Sequence, residues 1–314
     1  MTTKVFIDGE AGTTGLQIQE RLAPRVDIFL IRLGQEARKD ASARRDALNA
    51  ADVAILCLPD DAARESVAMI ETDTAVIDAS TAHRAVDGWT YGFHEYGPGH
   101  RDVMRASKRI SNPGCYAVTS VAMLHPLVFR GLLPGDAPIT INAVSGYSGG
   151  GKSLIAAFED ANADNKTDSV IYSYGLTLEH KHLPEIVRWA GLAHPPVFVP
   201  SVGHYRQGML VQVPLALWGL PRAPKAADLH AALAEHYEGE RFVKVAPFET
   251  TETLSQLDPE SLNGTNELHL YVLHNEANGQ AVLAGLIDNL GKGASGQAVQ
   301  TLNLLMDVDE GAGL

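Results

Sequence analysis

Two cysteines, Cys57 and Cys115, are too few in a chain of 314 residues for a disulfide framework, and they point to a reducing compartment such as the cytoplasm. No run of about 18 apolar residues occurs, so nothing reads as a membrane-spanning helix. The N-terminus passes from Met1 straight into Val5-Phe6-Ile7 and lacks the features of a secretory leader. Asn263-Gly264-Thr265 is then a surface turn. Positive charge is scarce: 25 Lys and Arg against 38 Asp and Glu leave a net charge of −13. That balance disfavours nucleic acid and anionic membranes as partners, and a small anion would need a local basic pocket. There is no internal repeat and no long linker. What remains is an ordinary globular composition, 45% hydrophobic and 20% charged, long enough for two domains.

The first third alternates short apolar strands with helical stretches, the pattern of a doubly wound α/β domain. Strand 4–8 runs into Gly9-Glu10-Ala11-Gly12-Thr13-Thr14-Gly15 and then a helix, the setting of a dinucleotide-binding turn. The spacing, Gly-x-x-Gly-x-x-Gly, departs from the usual Gly-x-Gly-x-x-Gly. After the second strand, 26–31, an NAD site would place an acid; this chain has Arg32, with Arg38 and Lys39 beyond. Cations there suit a 2′-phosphate, so NADP(H) is expected over NAD. Further strands are expected at 53–59, which buries Cys57, and at 75–78, with a helix at 61–71 between them. Residues 85–107 read as irregular.

Ser111-Asn112-Pro113-Gly114-Cys115-Tyr116 places the second cysteine after a turn and at the start of an apolar helix. Unpaired N–H groups and the helix dipole favour a thiolate there. A buried structural cysteine is the alternative. Beyond residue 117 the strands alternate apolar with polar residues, as in 267–272, and predict an α+β domain with a mixed, largely antiparallel sheet. A final amphipathic helix is expected at 297–306.

Gly146-Tyr147-Ser148-Gly149-Gly150-Gly151-Lys152-Ser153 matches the P-loop pattern, so a phosphotransferase enters as a rival. The same turn, with Lys152, could hold a phosphate or other anion without ATP. Glu179-His180-Lys181-His182-Leu183-Pro184-Glu185 offers two histidines just before a helix that Pro184 starts. They suit acid–base work; no nearby cysteine or carboxylate set completes a metal site.

These motifs occur in an order, with Asp288-Asn289-Leu290-Gly291-Lys292-Gly293-Ala294-Ser295 near the end, that closely resembles the shorter form of the N-acetyl-γ-glutamyl-phosphate reductase family. Its wider superfamily includes aspartate-semialdehyde and glyceraldehyde-3-phosphate dehydrogenases. The resemblance implies a Rossmann-type domain over 1–116, completed by 289–314, and a catalytic and oligomerisation domain over 117–288. It implies NADPH-dependent reduction of an acyl phosphate through a thioester on Cys115, in a homodimer or homotetramer. His182, then His180, and thirdly His204 are the acid–base candidates. For the substrate it implies Asn112, Arg109, Ser145, Gly146, Ser148, Lys152, Glu179, Glu185 and Arg206. For the cofactor it implies Gly9, Gly12, Thr13, Thr14, Gly15, Arg32, Arg38, Pro59, Ser80 and Asn289. N-acetyl-aminoadipyl phosphate and aspartyl phosphate remain alternative substrates, because one methylene is worth only about 1–3 kcal/mol. A catalytically silent NADP-binding protein is a further alternative.

Overall fold

The structure, a computed structural model, describes residues 2–314. They form two compact units: residues 2–114 with 294–314, and residues 115–293. Residues 289–293, expected with the first unit, pack with the second.

The first unit is built on six parallel strands: β1 (Thr3–Asp8), β2 (Ile28–Ile31), β3 (Val53–Leu56), β4 (Ala75–Asp78), β5 (Thr90–Tyr91) and β6 (Arg109–Ser111). Their order is β2-β1-β3-β4-β6-β5. Helices α1 (Thr13–Leu22), α2 (Ala41–Ala50), α3 (Asp60–Ala68) and α4 (His100–Ala106) connect them. Alternation along each strand feeds two cores. Val5, Ile7, Val53, Ile55 and Ile77 meet Ile18, Leu22, Val299 and Leu302 on one face. On the other, Phe6, Ala54, Leu56 and Val76 meet Ala47, Leu48 and Ala63. With both faces covered, the strands read as apolar runs.

Two expectations for this unit are corrected. Residues 85–107 contain β5 and α4, and Arg109-Ile110-Ser111 forms β6, paired with both β4 and β5. The C-terminal helix, Gly296–Leu305, is buried all round and is not an amphipathic surface helix. The amide nitrogens of its Gln297, Gln300 and Asn303 find partners within the unit. Gln297 donates to the Gly92 carbonyl, Gln300 to Glu95 and Glu310, and Asn303 to the carbonyls of Glu310 and Ala312. Buried amides with such partners cost little, whereas an unpaired one costs about 1–3 kcal/mol.

The second unit opens with α5 (Cys115–Phe129) and carries β7 (Thr140–Gly146), α6 (Gly151–Glu159), β8 (Ile171–Ser173), α7 (Leu183–Ala190), β9 (Val197–Gly203), β10 (Met209–Ala216), α8 (Ala226–His236), β11 (Val243–Val245), α9 (Thr250–Thr253), β12 (Leu268–Asn275) and β13 (Gln280–Ile287). The seven strands order as β11-β12-β13-β10-β7-β9-β8. Only β7–β9 and β11–β12 pair in parallel. α5 is apolar on all sides, as a helix inside a core must be. Pro126 interrupts it and cannot donate to the Ala122 carbonyl; the Tyr237 hydroxyl donates to that oxygen instead, at 2.9 Å.

Candidate active site

In the first unit, the glycine loop joins β1 to α1 next to the point where strand order reverses, the usual ligand position in such sheets. Gly9 has φ +88°, and a Cβ there would overlap the Cys57 carbonyl. A Cβ on Gly15 would lie 2.6 Å from the Gly9 carbonyl, so this glycine allows α1 to sit close on the loop. The N-terminus of α1 has no side-chain cap and no acid in its first turn. Its N–H groups are thus left for an external anion, and Thr13 and Thr14 are the residues that open the helix.

Arg32 is exposed directly after β2, while Arg38 forms a 2.6 Å ion pair with Glu10 of the glycine loop. Pro59 precedes α3 at the exit of β3. Ser80, after β4, is buried and turned inward, donating to the Asp78 carboxylate at 2.7 Å. Asp78 also holds His83 at 2.6 Å, and Trp89 stacks on that imidazole. Asn112 is buried, its amide donating to the Ala294 carbonyl at 3.0 Å and its own carbonyl accepting from Arg84 at 2.9 Å. Arg109 lies at the N-terminal end of β6, where its guanidinium donates to the carbonyls of Thr74 and Lys108. That is the end of a parallel sheet away from ligands, so Arg109 leaves the candidate set.

In the second unit, Cys115 is the first residue of α5. Tyr116 follows it and is ringed by His180 (5.8 Å between centroids), His182 (5.8 Å) and Phe198 (5.2 Å). Tyr174, for which the sequence offered no signal, donates its hydroxyl to that of Tyr116 at 3.2 Å, and Ser145 reaches the same oxygen. Burial raises Tyr174 to about 12 and Tyr116 well above the phenol range, and the charge of a Cys115 thiolate adds to both. Both hydroxyls therefore keep their protons and remain donors.

The two histidines differ. His182 is buried at the start of α7. His180 is half-buried, and burial, helped by Lys181, lowers it to about 4. Its Nδ1 accepts the His182 N–H at 3.1 Å, which assigns the proton of the neutral ring to Nε2. Glu185 is buried in the first turn of α7, and Glu179 is exposed. His204 is exposed and stands against Tyr147 and Phe158.

The glycine turn is not a P-loop. The N–H groups of Gly146, Tyr147 and Ser148 donate to the carbonyls of Gly208, Tyr205 and Arg206, so this stretch of backbone offers no open cradle to a triphosphate. Lys152 is exposed on α6, and Arg206 pairs with Glu159. Asn289, expected at the cofactor, has both ends of its amide taken within this unit: it donates to Ser148 and accepts from the Gly208 N–H. Among the described residues no helix is long and apolar enough to cross a membrane, and no group of three or more His, Cys, Asp or Glu could hold a metal ion.

This fold and residue set define a class. Residues 115–289 match the family model described as semialdehyde dehydrogenase, dimerisation domain. Aspartate semialdehyde dehydrogenase II of Vibrio cholerae, solved in complex with ASA, shares the fold with a TM-score of 0.67 at 16% identity, over 98% of this chain and 99% of that one. The Candida albicans enzyme, solved with NADP, gives 0.61 at 15% identity over the same shares.

The sequence is more specific. It is 53% identical to the N-acetyl-gamma-glutamyl-phosphate reductase of Chelativorans sp., over 98% of this chain and 99% of that protein. It is 49% identical to N-acetyl-gamma-glutamyl-phosphate reductase 2 of Nostoc sp., over 99% of each. The chain belongs to the N-acetyl-γ-glutamyl-phosphate reductase family.

Proposed function

We propose that this chain reduces N-acetyl-L-glutamyl 5-phosphate to N-acetyl-L-glutamate 5-semialdehyde with NADPH, in arginine biosynthesis, through a thioester on Cys115. The observation that carries the reading is the placement of Cys115 on the first turn of a buried helix, beside the protonated hydroxyls of Tyr116 and Tyr174, with His180 packed against both rings. The thiolate attacks the acyl carbonyl, the C–O bond to phosphate breaks, and phosphate leaves. NADPH, when bound, supplies a hydride to the thioester carbonyl. Collapse of the resulting thiohemiacetal breaks the C–S bond, releasing the aldehyde and restoring the thiolate.

Of the two histidines we assign to His180 the role of hydrogen-bond donor to the oxyanion that develops on the thioester carbonyl. It is neutral near pH 7, carries its proton on Nε2 and reaches solvent, whereas His182 is enclosed and holds His180 through its backbone N–H. Ser145, Ser148 and Gly146 line the turn that would receive the substrate's charged end, with Lys152 and Arg206 supplying positive charge nearby and Glu185 at the start of α7. The uncapped start of α1, with Gly9, Gly12, Thr13, Thr14 and Gly15, fits a pyrophosphate, and Arg32 and Arg38 fit a 2′-phosphate. The first unit would serve as the cofactor domain and the second as the catalytic one. The exposed Ile171, Val197 and Val199 on β8 and β9 support assembly into a homodimer or homotetramer through this sheet. A cytoplasmic location agrees with two free thiols.

Running the reaction backwards tests the reading. N-acetylglutamate semialdehyde with NADP⁺ should yield NADPH only when phosphate is present, and acyl-phosphate substrate without NADPH should leave an acyl adduct on Cys115 detectable by mass spectrometry. NADPH formation indifferent to phosphate would sink the thioester route.

A further inference from the structure

The motif Asp288–Ser295 is the stretch whose purpose the proposed chemistry does not absorb. Gly291–Ser295 forms a single π-helical turn ahead of the C-terminal helix. Such turns are rare and concentrate at functional sites. Gly293 lies against the nucleophile: a Cβ built there would stand 2.8 Å from the Cys115 Cβ and 3.3 Å from its Cα. Any side chain at 293 must therefore displace Cys115 or unwind the turn. α5 is also pressed close to β13, where a Cβ on Gly285 would overlap the Thr119 methyl, and the Thr119 hydroxyl donates back to the Cys115 carbonyl at 2.9 Å.

The turn itself is firmly held. Asp288 is fully buried, and both of its oxygens accept. Oδ1 takes Gln207 Nε2 at 2.7 Å and the Leu290 N–H at 2.9 Å; Oδ2 takes Gln207 Nε2 at 2.6 Å and the Gly264 N–H at 2.8 Å. The Gly293 N–H closes on the Asp288 carbonyl at 3.0 Å. Lys292 is fully buried, its ammonium 5.5 Å from the centre of the Phe242 ring. Asn289 meanwhile ties the same segment to Ser148 and Gly208. One short segment thus touches the nucleophile at one end and the glycine turn at the other.

We infer that Asp288–Gly293 is the registering element of the active site, with Gly293 and Asp288 acting as positioning residues that fix where the Cys115 sulfur stands relative to the glycine turn. The inference rests on Cys115 being the nucleophile, but it concerns the placement of the thiol and can be measured separately from turnover.

The test is the rate of iodoacetamide alkylation at Cys115, followed by peptide mass spectrometry from pH 6 to 10, in the full chain and in Gly293→Ala. Displacement of the thiol by that Cβ should change the alkylation rate and its pH profile, and lower kcat about ten- to a hundred-fold while KM for the semialdehyde stays within about two-fold. A folded Gly293→Ala protein with wild-type alkylation and kcat, whatever its melting temperature, overturns the inference. Should Gly293→Ala not fold, Asp288→Asn decides, because it keeps the shape but must turn an NH₂ toward a backbone N–H or toward Gln207. A several-fold change in Cys115 alkylation supports the inference, and an unchanged profile overturns it. Full activity in Cys115→Ser would instead remove the thioester reading and leave the alkylation result standing.

Discussion

Cys57 and Cys115 are both of intermediate exposure, yet their surroundings are chemically opposite. Cys57 follows β3 among the first unit's carboxylates. Burial first, then the charges of Asp78 and Asp8, push its thiol up to about 12. Cys115 starts a helix and has beside it the hydroxyls of Tyr116 and Tyr174, both of which keep their protons. Exposure therefore does not separate an inert thiol from a nucleophile. What separates them is the desolvation of the sulfur itself, then the charge and the N–H and O–H groups around it.

The widest separation should appear in turnover. Cys115→Ser should cost roughly 10⁴-fold or more in phosphate-dependent NADPH formation, as loss of a covalent nucleophile does elsewhere. Cys57→Ser should stay within about two-fold. Comparable losses in both variants would dissolve the contrast. Next comes chemical labelling. A thiol held near 12 carries roughly a thousandth of the thiolate of an unperturbed one at neutral pH. Iodoacetamide at pH 8 should accordingly label Cys115 and leave Cys57 untouched until the protein unfolds, and early label on Cys57 would show that its carboxylate neighbours do not protect it.

Third is the pair of histidines. His180→Ala should lower kcat about 10²- to 10³-fold, the range for a lost hydrogen-bond donor to a developing oxyanion. His182→Ala keeps the backbone N–H that orients His180 and should cost about ten-fold or less. The reverse ranking would hand the donor role to His182.

How far the sequence reached follows from where its signals were local. The glycine loop, the Cys115 helix start and the Glu-His-Lys-His run each sit within a few consecutive residues, so spacing alone placed them on turns and helix ends. β6 escaped because Arg109 and Ser111 are polar; its pairing is supplied by β4 and β5 on either side, and tertiary context overrides propensity in such strands. The C-terminal helix read as amphipathic because Gln297, Gln300 and Asn303 look like a solvent face. Their partners, Gly92, Glu95 and Glu310, are distant in sequence or visible only once folded. Tyr174 carries no sequence signature, since it matters only through Tyr116, and Gly293 stood in a recognised motif whose role shows only in its contact with Cys115. The P-loop match stayed a rival in the sequence for a related reason: the pattern records glycines and a lysine but not whether the loop's N–H groups are already spent on residues 205–208.

The smallest effect is the one that probes the Cys115 side most directly. His180 is lowered from 6.5 to about 4, by burial and by Lys181. Between those values the unfolded chain binds a proton that the folded protein refuses, so stability rises with pH across the interval. The contribution is fully present above about pH 6.5 and is lost as pH falls toward 4. With some solvent still reaching the ring, it should amount to about 1–2 kcal/mol. Urea unfolding at pH 7.5 and 4.5 should show that loss in the wild type, and His180→Gln should remove this part of the pH dependence. An NMR midpoint for the His180 C2 proton near 6.5 would mean that the ring is charged over much of the weakly acidic range. The same burial that forces a proton onto the Cys57 thiol strips one from the His180 imidazole, because desolvation opposes whichever form is charged. Burial at both sites thus refuses charge, whereas the helix start at Cys115 favours a thiolate, with the Tyr116 and Tyr174 hydroxyls beside it.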